Sequence, residues 1–277
     1  MNIGIHTLWK APVYCVAAWR FVGASLHGKK KLWQNTATAE KYVLGGPSPV
    51  MNVTYIHHSG FLVETEHFYY LFDYEKGRLP RMDAAKPIYV LASHSHHDHY
   101  NPEIVPMLKA MGMERIYPVL SDDIAAPENT DALMVSPGKE YALAPQLTLT
   151  TLASTDLGVA FLIEDQGTYI YHAGDLNDWV WDEETDDYNR QMTIDYRRQI
   201  DLLGQKLQGR KIDTAFVVLD PRQETDYDRG LCYFLENIPA KQVYPMHYWE
   251  KSEIIERFLD DHPEYQNQIQ YTERGSL

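Results

Sequence analysis

Four histidines and one aspartate fall within the six residues His94-Ser95-His96-His97-Asp98-His99. The apolar run Pro87-Ile88-Tyr89-Val90-Leu91-Ala92 before them reads as a buried strand, and Pro102-Glu103-Ile104 after them reads as a helix start capped by Asn101. The cluster therefore lies on a strand-to-helix loop at the carboxyl end of a buried strand, where α/β proteins usually place their chemistry. Imidazole and carboxylate are the ligands that zinc, iron and manganese accept. In extended backbone His94 and His96 point the same way and can meet one ion, whereas Asp98 and His99 follow a turn and can serve a second. A tag-like histidine tract would not be set between a strand and a capped helix with a carboxylate at a fixed offset.

His94-x-His96-x-Asp98-His99 resembles the signature of the metallo-β-lactamase-fold hydrolases, and further matches run from about Met51 to the end. The resemblance implies an α/β (α+β) chain folded as a four-layered αβ/βα sandwich, with the site at one edge between two mixed sheets. It also implies one or two divalent metal ions. His97 is not a ligand in that pattern and suits a supporting or surface role.

The length of 277 residues admits one large domain or two small ones, and no stretch reads as an inter-domain linker. Residues 1–50 read as an N-terminal extension, helical or weakly ordered, and 51–277 as the hydrolase-like domain. The apolar stretch Ala11 to Leu26 is broken by Arg20 and is too short to span a membrane. A formal charge of −14 disfavours nucleic acid and anionic membranes as partners and leaves a small-molecule substrate. Only Cys15 and Cys232 are present, without metal-binding spacing, so packing thiols and a reducing, cytoplasmic location fit. Oligomeric state is not legible.

From Asn52 the chain alternates in strand fashion: 53–56, 61–65 and 68–73 read as a meander leading into 87–92. His58, in the first break, is expected beneath the site as a supporting residue rather than a ligand, and Asp73 as a support for the metal loop. Helices are expected over 102–111, 121–126, 189–208, 231–236 and 252–259, and strands over 115–119, 147–152, 159–164, 168–171, 215–219 and 242–246. The long helix should bury Ile194, Ile200, Leu203 and Leu207.

The strand 168–171 runs into His172-Ala173-Gly174-Asp175, which projects a carboxylate from its end, and Gly174 lets the backbone approach an ion closely. His172 faces the other side and is expected to pack or support. The resemblance makes Asp175 a carboxylate shared between two ions and His247, after the last strand, the final ligand. It implies one ion held by His94, His96 and Asp175, and another by Asp98, His99, Asp175 and His247. A third histidine usual for the first ion is missing; its place falls on Ser154, and Asp156 two residues on can replace it with a carboxylate. An oxygen-richer site suits manganese or iron as well as zinc. Trp179 and Trp181 are expected as a substrate wall or as packing on the following helix. Arg222 is expected either to hold an anionic substrate group or to pair with a nearby acid.

Such a site supports metal-dependent hydrolysis, in which a metal-activated water attacks a small ester, lactone or phosphodiester and Asp98 orients that water. The alternatives are a metal-binding sensor or scaffold without turnover, and a nuclease-type phosphodiesterase.

Overall fold

The computed structural model describes residues 18–19, 35–36, 51–126 and 130–271. The chain divides into two units, Met1–Pro49 and Val50–Leu277. In the first, β1 (Ala18–Trp19) and β2 (Asn35–Thr36) pair antiparallel. The remainder of that unit, with Cys15 and the rest of the stretch read as an N-terminal helix, lies outside the described residues.

In the second unit, β3 (Asn52–His57), β4 (Gly60–Glu64), β5 (Tyr69–Phe72), β6 (Ile88–Ala92), β7 (Ile116–Ser121) and β8 (Leu133–Val135) form one sheet in that order. The first three make the expected antiparallel meander and the rest run parallel. Parallel strands need cover on both faces, and the alternation of side chains supplies it. Phe61, Val63, Tyr70, Phe72, Tyr89 and Leu91 turn to one core. Leu62, Tyr69, Leu71, Ile88 and Val90 turn to another, which Ile104 and Leu108 of α1 (Ile104–Ala110) close.

The second sheet has the order β14-β13-β12-β11-β10-β9, built from β9 (Glu140–Ala144), β10 (Leu147–Ala153), β11 (Val159–Asp165), β12 (Thr168–His172), β13 (Ile212–Val218) and β14 (Ala240–Met246). Strands β9 to β12 are antiparallel neighbours; β12, β13 and β14 run parallel. Helices α2 (Asp186–Leu207) and α3 (Arg229–Asn237) supply the crossovers that parallel strands require, and α4 (Glu253–Asp261) follows β14. The two sheets meet through Phe61 on Phe216, with ring centroids 4.4 Å apart. Asp165 takes hydrogen bonds across the same interface from Tyr70 Oη at 2.9 Å and Thr65 Oγ1 at 3.0 Å. The result is the expected αβ/βα sandwich of two mixed sheets flanked by helices.

Three local expectations are corrected. Residues 121–126 are not a helix: Ser121 ends β7, Asp122 N–H bonds the Val135 carbonyl at 2.9 Å, and only one turn closes, from Ile124 N–H to Ser121 O. In α2 the buried stripe is Tyr196, Ile200, Leu203 and Leu207, and Ile194 is 53% exposed. Ile194 stands two residues, or about 200° of helix, from Tyr196 and so faces away. Asn101 does not cap α1 directly. Its Oδ1 accepts from Glu103 N–H at 2.9 Å and its carbonyl from Ile104 N–H at 3.1 Å, one step ahead of the helix.

Candidate metal centre

The His94–His99 loop leaves β6 at the sheet edge and is fastened from both sides. Asp73, at the end of neighbouring β5 with a left-handed φ of 40°, accepts from Ser93 N–H and Ser93 Oγ–H, each at 2.7 Å. Asp123 accepts from Ser95 N–H at 2.8 Å. The second sheet approaches the same backbone: Val159 N–H bonds the Ser93 carbonyl at 2.9 Å. This approach is possible because Gly158 and Gly174 have no side chain. A Cβ on Gly158 would lie 2.0 Å from Ser93 O, and one on Gly174 2.8 Å from Ser93 Cβ. Gly174 therefore admits the Ser93 residue rather than an ion.

The ligating atoms collect in two groups, in each of which the candidate atoms lie within 4.8 Å of one another. His94, His96, Asp156 and Asp175 form the first; His58, Asp98, His99 and His247 form the second. Asp175, at the end of β12, lies between them: Oδ2 is 3.5 Å from His94 Nε2, while Oδ1 is 3.1 Å from His99 Nε2 and 3.3 Å from His247 Nε2. All six histidine and aspartate positions anticipated from the motif meet here, and so does Asp156. His58, expected only as a support, adds its Nε2 3.4 Å from Asp98 Oδ2.

Hydrogen bonds behind the rings fix which nitrogen faces inward. Because the Ser93 hydroxyl proton goes to Asp73, His94 Nδ1–H donates to Ser93 Oγ at 2.9 Å. His99 Nδ1–H donates to Asp73 Oδ2 at 2.8 Å, and His247 Nδ1–H to Asp220 Oδ2 at 2.9 Å. Each of these imidazoles thus turns Nε2 to the centre, the arrangement by which outer carboxylates orient metal-binding histidines. His172 holds the opposite tautomer. Gly174 N–H donates to its Nδ1 at 3.1 Å, and its Nε2–H donates to Ser59 O at 2.9 Å. Stacked on Phe72 at 4.8 Å, it packs and supports, as expected.

Whether the residues fit a cation is decided by what they lack. His58 Nε2, His99 Nε2 and Asp175 Oδ1 are buried without an aligned hydrogen-bond partner. Buried polar atoms left in this way are costly, and several facing one point are what a metal ion satisfies. Electrostatics agree. Burial alone would raise Asp175, but His247 and His99 beside it hold its carboxyl well below the usual range. Burial lowers His58 and His94, whereas at His247 it is outweighed by Asp175 and Asp220, which raise the imidazole to about 9.

The remaining candidates ring the centre. Trp179 is buried, donates Nε1–H to the Asp175 carbonyl at 2.9 Å and stacks with Trp181 at 5.8 Å. Arg222 donates Nε–H to Asp220 at 2.9 and 3.0 Å, the ion pair anticipated as one of its two roles, and lies 4.6 Å over the Trp249 ring. His97 is at the surface, its side chain 89% exposed. Asp220 is the support that sequence reasoning did not single out; its only local signal is a carboxylate at a strand end. Cys232, partly buried, lies 3.5 Å from His262 Nε2, which bonds Asp228 Oδ2 at 2.7 Å.

The family model of the beta-lactamase superfamily domain matches residues 52–191. The chain belongs to the metallo-β-lactamase superfamily of metal-dependent hydrolases. Among solved structures it is similar to Igni18, a metallo hydrolase from Ignicoccus hospitalis, with a TM-score of 0.55 at 15% identity over 82% of this chain and 96% of that one. The metallo-beta-lactamase fold protein YhfI from Bacillus subtilis gives 0.51 at 15% identity over 79% and 90%. CmlA, a diiron beta-hydroxylase from Streptomyces venezuelae, gives 0.50 at 12% identity over 82% and 54%. No curated protein matches the sequence. Among the described residues no helix is long and apolar enough to cross a membrane.

Proposed function

We propose that the chain hydrolyses a small ester, lactone or phosphodiester with one or two divalent ions, zinc or the harder manganese or iron. The observation that carries this reading is the convergence of eight histidine and aspartate side chains on two groups that share Asp175. His94, His96, Asp156 and Asp175 would hold one ion, and Asp98, His99, His247 and Asp175 the other. Bound there, the ions supply an activated water and Lewis acids that polarise the scissile bond.

The chain's own residues supply orientation. Asp73 and Asp220 hold a proton on Nδ1 of His99 and His247 and so turn Nε2 to the centre, where an ion would displace the proton that Asp175 favours there. Asp98 is held ionised far below the usual carboxylate range: burial opposes this, but the His58 imidazole 3.4 Å away and the His99 charge outweigh it. It therefore serves as a fixed acceptor that orients a water, not as a store for its proton. Trp181, stacked on Trp179, and Trp249, 37% exposed, offer an apolar wall for the substrate's uncharged part. The charge of −14 favours a small substrate over nucleic acid, and the two cysteines fit a reducing, cytoplasmic setting.

The test is metal content by elemental mass spectrometry on protein without a histidine tag, beside a panel of nitrophenyl esters, lactones and bis-nitrophenyl phosphate. Turnover that disappears in His96→Ala and Asp98→Ala supports the reading. Tight metal with no turnover on any class replaces it with a metal-binding sensor.

A further inference from the structure

We propose that His58 is itself a metal ligand, and that the buried group His58, Asp98, His99 and His247 is the tight site, filled before the group containing His94, His96 and Asp156. This rests on the metal-centre reading above and deepens it.

The first argument is the state of the His58 ring. Its side chain is 2% exposed and its Nε2 has no aligned hydrogen-bond partner, yet lies among Asp98, His99 and His247. A purely supporting histidine would spend that nitrogen on a hydrogen bond, as His172 does on the Ser59 carbonyl at 2.9 Å. The backbone is set to aim the ring inward. His58 has a left-handed φ of 52°, unfavourable for a residue with a Cβ, and the turn is fastened by its N–H to Tyr55 Oη at 2.9 Å. The ring is then wedged between His247, 4.2 Å away, and Trp249, 4.5 Å away. Neighbouring His57 is committed elsewhere, to Glu75 at 3.1 Å and Glu250 at 3.2 Å.

The second argument compares the groups. The group containing His58 offers three imidazoles with side chains no more than 3% exposed, and Asp98 at 13%. In the other, His96 and Asp156 are each 44% exposed, leaving His94 as its one buried imidazole. Buried ligands held in place lose less freedom on binding and compete less with water, and zinc prefers the nitrogen-richer set. His58 thus gives the second group the extra imidazole that the first lacks.

The test loads metal-free, tag-free full-length protein with one equivalent of Co2+ and counts solvent-exchangeable, paramagnetically shifted imidazole N–H signals by proton NMR. Three are expected, from His58, His99 and His247. Two overturn the proposal, because they mean either that His58 does not bind or that the ion sits with His94 and His96. In parallel, zinc retention is titrated against a graded chelator. His58→Gln should weaken the tightest equivalent at least about 10-fold, while Asp156→Ala should leave it unchanged and remove only the weaker one. The reverse pattern overturns the order of filling. Wild-type protein that retains neither cobalt nor zinc overturns the metal-centre reading itself, a result distinct from two signals.

Discussion

Asp73 Oδ2 lies 2.8 Å from His99 Nδ1, and neither side chain is exposed to solvent. That oxygen also accepts from Ser93 Oγ, whose own acceptor site serves His94 Nδ1–H. One carboxylate therefore orients an imidazole of each metal group. Asp73→Asn leaves a shape of the same size but places amide hydrogens against these donors. Metal affinity should fall about 10- to 100-fold, measured by chelator competition, with far-ultraviolet dichroism unchanged.

Gly158 lies where the second sheet meets the Ser93 backbone of the first. Its φ is +68°, and a Cβ there would meet Ser93 O at 2.0 Å and His94 Cβ at 2.7 Å. Gly158→Ala should cost about 2–4 kcal/mol from strain and overpacking together, read as a lower Tm and weaker metal retention. Gly167 is the control. Its φ of +87° is also left-handed, but nothing lies within 4 Å, so Gly167→Ala should cost only about 1–2 kcal/mol.

The metal-free protein should show a pH dependence with a definite sign. His247 is raised from 6.5 to about 9 because Asp175 and Asp220 outweigh its burial. Its protonated form therefore stabilises the metal-free fold fully below about pH 6.5, and that contribution is lost as pH rises through about 9. A metal ion must displace this proton, so affinity should climb with pH up to about 9. Calorimetry of zinc binding at pH 7 in buffers of different ionisation enthalpy should register proton release; none would refute the argument.

If Trp181 forms a substrate wall, Trp181→Ala should raise KM roughly three- to tenfold while kcat changes little. Steady-state kinetics on the best substrate decide it. An unchanged KM would leave the indole a packing role, against Trp179 and beneath Arg222.

The sequence made the fold legible where one rule dominated. Strands β10, β11 and β12 announced themselves by β-branched and apolar runs around the turn 165–167. Strands β8 and β9 did not, because Leu133 and Glu140 are exposed and their strands lie at sheet edges, where burial imposes no strong pattern. In the site, spacing showed His94, His96, Asp98 and His99 on one loop, and the resemblance to the family pattern, laid on Gly158, pointed to Asp156. What remained hidden depended on distant partners. Asp220 reaches His247 across 27 positions of sequence, and the left-handed turn that swings His58 inward leaves no local signature.

The centre is divided between the sheets. His58 and the His94–His99 loop issue from the first, whereas Asp156, Asp175 and His247 issue from the second. An ion bound there would behave as a clasp across one edge of a sandwich whose opposite end is fastened by the hydrogen bonds of Tyr70 and Thr65 to Asp165. Binding to the folded chain alone would add about 4.1 kcal/mol at a thousand times Kd, and that gain would be concentrated at one margin. Withdrawing the ion would let that margin breathe first, so amide exchange would quicken around Ser93 and Val159 while the aromatic interior stayed protected, making the metal as much a hinge pin as a reagent.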